Sequence, residues 1–145
     1  MNTILVAYDD SEQSRRALDR AATIAEKFGS KVLVTSIVPL LHSGPKSSQG
    51  IYHGSTDPEE DVDHAHSTLQ ERGIDAETVT ATGDPASAIA KLAEERHVDL
   101  VVIGTRELGT MRRLLGQSVS QAVSRRVHCD VLIVHPGPQG AVESA

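Results

Sequence analysis

Aromatic residues and cysteine are both scarce in this chain of 145 residues. Phe, Tyr and Trp together make up 2% of the sequence, and Trp is absent. Proteins that read single-stranded nucleic acid stack bases on aromatic side chains, so this chain lacks the usual platform for that function. Its net charge of −6 also argues against a general affinity for phosphate backbones. The single cysteine, Cys129, excludes an internal disulfide framework and a cysteine metal cluster.

Long hydrophobic runs are absent as well. The apolar stretches are only a few residues long, whereas a helix needs roughly 20 apolar residues to cross a bilayer. The chain opens directly into a short apolar run, without the basic region and cleavage site of a signal peptide. We therefore expect a cytoplasmic protein with no membrane segment and no nucleic-acid partner.

The apolar residues that are present are mainly aliphatic and form short runs separated by segments of helical period. Runs that are apolar throughout, rather than alternating, indicate strands that are buried on both faces of a parallel sheet. The pattern predicts an α/β fold, a three-layer α/β/α sandwich of flavodoxin-like architecture with a five-stranded parallel sheet. The domain is expected over residues 1–136, with a mobile loop at 39–56 and a C-terminal tail at 137–145. Strands are predicted at 3–8, 31–38, 76–81, 100–103 and 131–134, and helices after Ser11, Asp57, Asp84 and around 118–127.

One segment, residues 104–120, has the character of an anion site. In open parallel sheets, ligands bind beyond the carboxyl ends of the strands, where Asp9, Ile37 and this segment should meet. The segment leaves a strand at Gly104 and ends where a helix begins, so backbone N–H groups and the hydroxyls of Ser118 and Ser120 can bind an anion. An ordinary surface loop with capping serines and solvated arginines explains the same pattern. The arginines are Arg106, Arg112 and Arg113.

The chain resembles a single-domain universal stress protein over essentially its whole length. The matching pieces are ILVAYDDS at 4–11, Gly83-Asp84-Pro85, DLVVIG at 99–104, RRLLGQSVS at 112–120 and CDVLIV at 129–134. The resemblance implies the adenine-nucleotide-binding fold of that family. It also implies a cytoplasmic stress-response sensor or adaptor, not an enzyme, that binds ATP or a related adenine nucleotide with or without Mg²⁺.

The resemblance also implies roles for particular residues. Asp9 would contact the nucleoside, and the backbone of Ile37 would face the adenine. The residues expected around the phosphates are Gly104, Arg106, Ser118, Val119 and Ser120. A homodimer is implied through the last strand, at Val131, Leu132, Ile133 and Val134.

The chain departs from the family's nucleotide motif at two positions. That motif is glycine, two residues, glycine, nine residues, glycine, and then Ser or Thr. Gly104 and Ser118 fit it, but Glu107 and Gln117 stand where the second and third glycines belong. A carboxylate repels phosphates, and a side chain at 117 occupies space where bare backbone approaches the ligand. A nucleotide-free homodimeric interaction module of the same family is therefore an alternative, and a slow ATPase that uses Glu107 or Asp9 is another.

Other sites fit the sequence poorly. Asp9 and Asp10 invite comparison with response regulators, but the expected Asp after the third strand and Lys after the fifth are absent. No G-x-G-x-x-G follows the first strand, which excludes a dinucleotide-binding fold. His64 and His66 are two apart on a predicted helix and therefore point in different directions. Since Cys129 has no evident base beside it, we expect a packing residue, and we predict neither catalytic residues nor a metal site.

Overall fold

The computed structural model describes residues 1–38, 58–105 and 116–136. Within them, strands and helices alternate along the chain and the strands form one parallel five-stranded sheet, which confirms the predicted α/β architecture. The strands are β1 (Thr3–Ala7), β2 (Lys31–Val38), β3 (Ala76–Thr82), β4 (Leu100–Gly104) and β5 (Asp130–Val134). The helices are α1 (Glu12–Phe28), α2 (Pro58–Glu71), α3 (Pro85–Glu95) and α4 (Gly116–Arg126). The predicted loop at 39–56 and tail at 137–145 lie outside the described residues, so the predicted domain limits stay predictions.

The order of the strands across the sheet is β3-β2-β1-β4-β5. The chain therefore winds outward from β1 to β3, returns to the centre and winds outward again through β4 to β5. The strand order reverses between β1 and β4, and such a reversal opens a crevice at the carboxyl ends of the two strands. The term flavodoxin-like holds for the layered architecture, whereas the order itself follows the nucleotide-binding 3-2-1-4-5 arrangement instead of the flavodoxin 2-1-3-4-5.

Two aliphatic cores cover the two faces of the sheet. Ile4 and Val6 of β1 point into a cluster beneath α1 and α2, whereas Leu5 points into the opposite cluster beneath α3 and α4. Neighbouring strands alternate in the same way, because successive side chains of a strand lie on opposite faces. Burial on both faces explains why the central strands are apolar throughout.

Local capping signals place the beginnings of two helices as predicted. The Ser11 hydroxyl accepts a hydrogen bond from the Ser14 N–H at 3.2 Å, and the Ser14 hydroxyl accepts one from the Ser11 N–H at 3.1 Å. This reciprocal capping box satisfies two N–H groups that the first turn of α1 would otherwise leave unpaired. Asp84 caps α3 through the Ser87 N–H at 3.0 Å. Gly29 ends α1 with a φ of 69°, the left-handed conformation that glycine adopts at lowest cost.

Four elements are longer than the sequence predicts, and one is shorter. β4 gains Gly104 and β5 gains Asp130 because each pairs with its neighbour to that residue, whereas β1 ends at Ala7, one residue before its predicted end. β3 extends to Thr82 because it pairs with β2 along seven residues, although its outer position leaves its side chains only partly buried. α4 begins at Gly116 instead of near Ser118. None of the helices in the described part of the chain is long and apolar enough to cross a membrane.

Candidate functional site

The carboxyl ends of β2, β1 and β4 lie side by side at one edge of the sheet. Ile37 is the penultimate residue of β2, and Gly104 is the last residue of β4. Asp9 is the second residue after the end of β1, with Tyr8 between them. The fold thus brings three of the predicted site residues to the crevice where the strand order reverses. Arg106 lies outside the described residues, as do the Glu107 position and the side chains of Gln117 and Ser118.

Asp9 is half-buried in the turn that joins β1 to α1. Its N–H donates to the Ser14 hydroxyl at 3.2 Å, and its Oδ1 accepts from the Ser11 N–H at 3.0 Å. These bonds tie the carboxylate to the capped first turn of α1. The second oxygen, Oδ2, makes no hydrogen bond with any described residue, so it can accept a hydrogen bond from a ligand hydroxyl.

The neighbouring carboxylate, Asp10, is bonded to Tyr8 and Arg15. It has a positive φ of 65°, and its Oδ1 accepts bonds from the Tyr8 hydroxyl at 2.9 Å and from Arg15 at 3.0 Å. Burial raises the pKa of Tyr8 to about 12, with a further contribution from Asp10. Although partial burial opposes the effect, the hydrogen bonds from Tyr8 and Arg15 hold the pKa of Asp10 below its ordinary value. The two adjacent carboxylates therefore differ in their contacts: Asp10 is bonded to Tyr8 and Arg15, whereas Asp9 is bonded to the first turn of α1. The sequence alone did not show this difference.

Gly104 has a packing role that the motif did not predict. A methyl group on its Cα would collide with the backbone carbonyl of Gln13, whose carbonyl carbon would lie only 2.7 Å away. The end of β4 and the first turn of α1 therefore approach each other more closely than a side chain permits. A glycine at 104 is therefore needed for α1 to pack this closely against β4. The first turn of α1 in turn fixes Asp9 through hydrogen bonds with Ser11 and Ser14.

Thr35 is a residue of this region that sequence analysis missed. Its side chain is fully buried, and its hydroxyl has no hydrogen-bond partner among the described residues. By strand alternation it lies on the same face of β2 as Ile37, which packs against the α3 and α4 core. The signal in the sequence was the pair of polar residues Thr35 and Ser36, which follows the apolar run at 32–34 inside the strand.

The first turns of α4 carry the remaining predicted residues. Val119 is half-buried and packs against the core beneath α3 and α4. Because the helix begins at Gly116, Ser120 is its fifth residue and its N–H falls within the helical hydrogen-bonding pattern. Ser120 thus retains its hydroxyl as a donor, whereas the backbone N–H groups of Ser118 and Val119 remain in the positive end of the helix dipole.

Cys129 lies on the same side of the sheet as α4. It is half-buried and packs against the core there, and burial raises the pKa of its thiol. A raised pKa lowers the thiolate fraction, so the thiol is a poor nucleophile and metal ligand. Within the described residues, no group of three or more His, Cys, Asp and Glu side chains is arranged to hold a metal ion.

The chain resembles known proteins over most of its length. The sequence profile of the universal stress protein family matches residues 1–135. The chain belongs to the universal stress protein family. It is 36% identical to a universal stress protein of Mycobacterium tuberculosis over 148 aligned positions, which cover 92% of this chain and 95% of that one. It is 30% identical to the universal stress protein YxiE of Bacillus subtilis, with 92% and 98% of the two chains covered.

Solved structures of universal stress proteins superpose on the fold. One of them, crystallised in complex with cAMP, is 32% identical with a TM-score of 0.74 and covers 94% of this chain and 98% of its own. A universal stress protein from Archaeoglobus fulgidus is 25% identical with a TM-score of 0.70, and the match covers 92% and 93% of the two chains. The described part of this universal stress protein therefore has the family fold.

Proposed function

We propose that this universal stress protein binds an adenine nucleotide at the crevice between β1 and β4 and acts as a cytoplasmic sensor or adaptor. The observation that carries the proposal is the position of Asp9, whose Oδ1 is held by the α1 cap while its Oδ2 makes no hydrogen bond with any described residue. The crystallised relative at 32% identity, which contains cAMP, supports an adenine nucleotide as the ligand class.

The residues suggest a division of roles within the crevice. A ribose hydroxyl would donate to Asp9 Oδ2, and the adenine would lie against aliphatic side chains and the backbone near Ile37. The phosphates would meet the N-terminal turn of α4, where unpaired N–H groups and the helix dipole favour negative charge. Arg106 and the hydroxyls of Ser118 and Ser120 are the proposed additional phosphate ligands.

The proposed sensor or adaptor function requires nucleotide binding but not nucleotide hydrolysis. General base catalysis needs a group within hydrogen-bond reach of the attacking water and with a suitable pKa. At the crevice, Asp10 is engaged by Tyr8 and Arg15, and the proposed role of Asp9 Oδ2 is to accept a ribose hydroxyl, so we assign neither carboxylate as a general base. Whether bound ATP is cleaved slowly is measured as phosphate release during incubation with the purified protein.

Glu107 and Gln117 favour one alternative function. They replace two glycines of the family's nucleotide motif. A carboxylate near the phosphates would repel them, and a side chain at 117 would occupy space where bare backbone approaches the ligand. In that alternative the chain is a nucleotide-free homodimeric interaction module. Protein purified from cells should then release no nucleotide on denaturation, as checked by mass spectrometry, and should give no heat when titrated with cAMP, AMP or ATP.

Substitution of one carboxylate oxygen tests the proposed site directly. Asp9→Asn keeps Oδ1 as the acceptor for the Ser11 N–H but replaces the open oxygen with an amide that cannot accept a hydrogen bond. Because hydrogen bonds to charged groups contribute about 1.5–3 kcal/mol, calorimetric affinity should fall by roughly 10- to 100-fold. Asp10→Asn is the matched control, since it changes the same charge one residue away on a carboxylate engaged by Tyr8 and Arg15. Equal effects of the two substitutions would mean that the ligand does not contact Asp9.

We also propose that the protein is a homodimer joined through β5. This strand lies at the edge of the sheet, and its side chains from Val131 to Val134 are apolar and mostly half-buried. Its outer edge pairs with no strand among the described residues, and such an edge readily pairs with another chain. Sedimentation equilibrium of the wild-type protein measures this association, independently of nucleotide binding.

A further inference from the structure

A charged concavity borders the outer edge of β5, which pairs with no strand in the part of the chain that the structure describes. It has a volume of about 500 Å³ and lies between Val134 and one side of α1, whose charged residues there are three arginines and two acids: Arg15, Arg16, Arg20, Glu12 and Asp19. The Nε of Arg16 is buried and has no hydrogen-bond partner among the described residues. The ion pair of Arg16 with Glu12 is long, at 3.6 Å, and Arg20 is exposed without an ion pair to any described residue. Arg15 is paired with Asp10 and Asp19 with Arg72, so Arg16 and Arg20 are the cations of the concavity that an acidic partner can approach.

The backbone of β5 shows which of its groups face outward. The Val134 carbonyl accepts a hydrogen bond from the Thr105 N–H at 3.0 Å, so Val134 directs its backbone groups toward β4. Backbone groups alternate in direction along a strand, so Val131 and Ile133 direct theirs toward the open edge. These two residues carry the outward N–H and C=O groups of the five-residue strand.

A twofold axis through the middle of β5 satisfies all of these groups at once. When two copies pair antiparallel about Leu132, Val131 of each copy lies opposite Ile133 of the other, and both pairs exchange their N–H and C=O bonds. In the same register Asp130 of each copy lies opposite Val134 of the other. Asp130 is on the same face of its strand as Leu132 and Val134, which is the face covered by α1. Directly opposed residues of antiparallel strands share a face, so the Asp130 side chain is brought to the concavity on the partner.

We propose that Asp130 of one subunit pairs with Arg16 and Arg20 of the other, twice in each dimer, and that this pair selects the register of the β5 pairing. The proposal rests on the homodimer proposed above. Asp130 is exposed and makes no hydrogen bond or ion pair with any described residue, so its carboxylate is available. A twofold axis at Ile133 would place Asp130 opposite residue 136, beyond the end of the strand. An axis at Val131 would place it opposite Leu132, away from the residue that lines the concavity.

Charge reversal distinguishes this pairing from simple apolar association of the strands. Asp130→Lys and Arg16→Glu each place like charges together twice in their own homodimers, so each homodimer should be weakened about tenfold in sedimentation equilibrium. In a mixed dimer of the two variants, one pair is native and the other is reversed but still attractive. An equimolar mixture, with one variant ¹⁵N-labelled for native mass spectrometry, should therefore contain more than roughly three-quarters heterodimer.

The controls carry the same charge changes at the opposite end of the sheet. Asp63→Lys on α2 and Lys91→Glu on α3 should mix to the statistical half of heterodimer. The excess of heterodimer between the Asp130 and Arg16 variants should also decline in 1 M salt, because screening weakens the ion pairs. A wild-type monomer would overturn the dimer itself, whereas a wild-type dimer whose charge variants mix statistically would overturn the ion pair alone.

Cysteine crosslinking measures the register without altering charge. In a Cys129→Ala background, Leu132→Cys places two thiols directly opposite each other at the twofold axis, with Cα atoms about 4.5 Å apart, and it should crosslink under mild oxidation. Val131→Cys and Ile133→Cys should crosslink with each other when mixed but not when oxidised separately. Efficient crosslinking of either variant with itself would place the axis at that residue and would overturn the proposed register.

Discussion

Replacement of Gly104 by alanine should destabilise the protein even when no ligand is present. The added methyl group would meet the backbone of Gln13, with the carbonyl carbon at 2.7 Å and the Gln13 Cβ at 3.2 Å. Ordinary carbon–carbon contacts lie at about 3.5–4.0 Å, so the first turn of α1 must move away by roughly 1 Å. The obstacle is backbone, which cannot rotate aside as a flexible side chain can.

The expected cost follows from what α1 buries. The helix packs its buried stripe, which includes Ala17, Leu18 and Ala21, against the central strands, and a displaced first turn loosens that packing. Overpacking typically costs about 1–3 kcal/mol, and we expect a loss of about 3 kcal/mol because the clash is with backbone. For a domain of this size, that corresponds to a fall in Tm of roughly 6–12 °C. Asp9 is bonded to the same turn of α1, so nucleotide affinity should fall as well.

Urea denaturation of the ligand-free protein measures the effect. Gly73→Ala is the control: Gly73 also has a special conformation, with a φ of 75°, but an added methyl group there meets no atom within 4 Å. Its cost should be about 1–2 kcal/mol, from backbone conformation alone. If Gly104→Ala leaves the free energy of unfolding within about 0.5 kcal/mol of wild type and lowers only nucleotide affinity, the glycine serves the ligand and the packing argument is wrong.

Two further substitutions test the described core and surface. Thr35→Val removes a buried hydroxyl without a partner, so the free energy of unfolding should stay constant or rise by up to about 1 kcal/mol, and a loss larger than that in chemical denaturation would show that the hydroxyl is satisfied. Arg96, and then Lys31, hold the pKa of Glu77 at about 2, so its ion pairs stabilise the fold above pH 4.5 and are lost as the pH falls toward 2. The free energy of unfolding should therefore fall less between pH 4.5 and pH 2 in Glu77→Gln than in the wild type. The difference should be smaller than about 1 kcal/mol, because these side chains are partly exposed to solvent. An unchanged pH dependence between 4.5 and 2 would contradict the assigned ion pairs.

Local signals predicted most of the elements. Ser11 and Asp84 begin their helices as expected because a cap depends on neighbours three residues away, and those neighbours are visible in the sequence. The strand at 31–38 was predicted with its observed bounds because its apolar run is confined between turn residues. β3 was predicted one residue short, since part of its length comes from pairing with β2 and not from its own pattern.

Some features of the candidate site were also predictable from the sequence, and others were not. The position of Asp9 beyond the first strand and the family resemblance were both readable from the chain, and they located the crevice. The separate tasks of Asp9 and Asp10 were not readable, because Tyr8 and Arg15 reach Asp10 only after α1 has folded against β1.

The sequence by itself determined the layered α/β architecture, the helix caps and the family, since each depends on periodicity, short-range neighbours or a pattern along the chain. Only the tertiary structure decided the strand order, the closeness of Gly104 to Gln13 and the isolation of the Thr35 hydroxyl. These features arise from contacts between segments that are far apart in the chain. Such contacts depend on how strands are ordered and how closely a helix can approach a sheet, and no local pattern encodes either quantity.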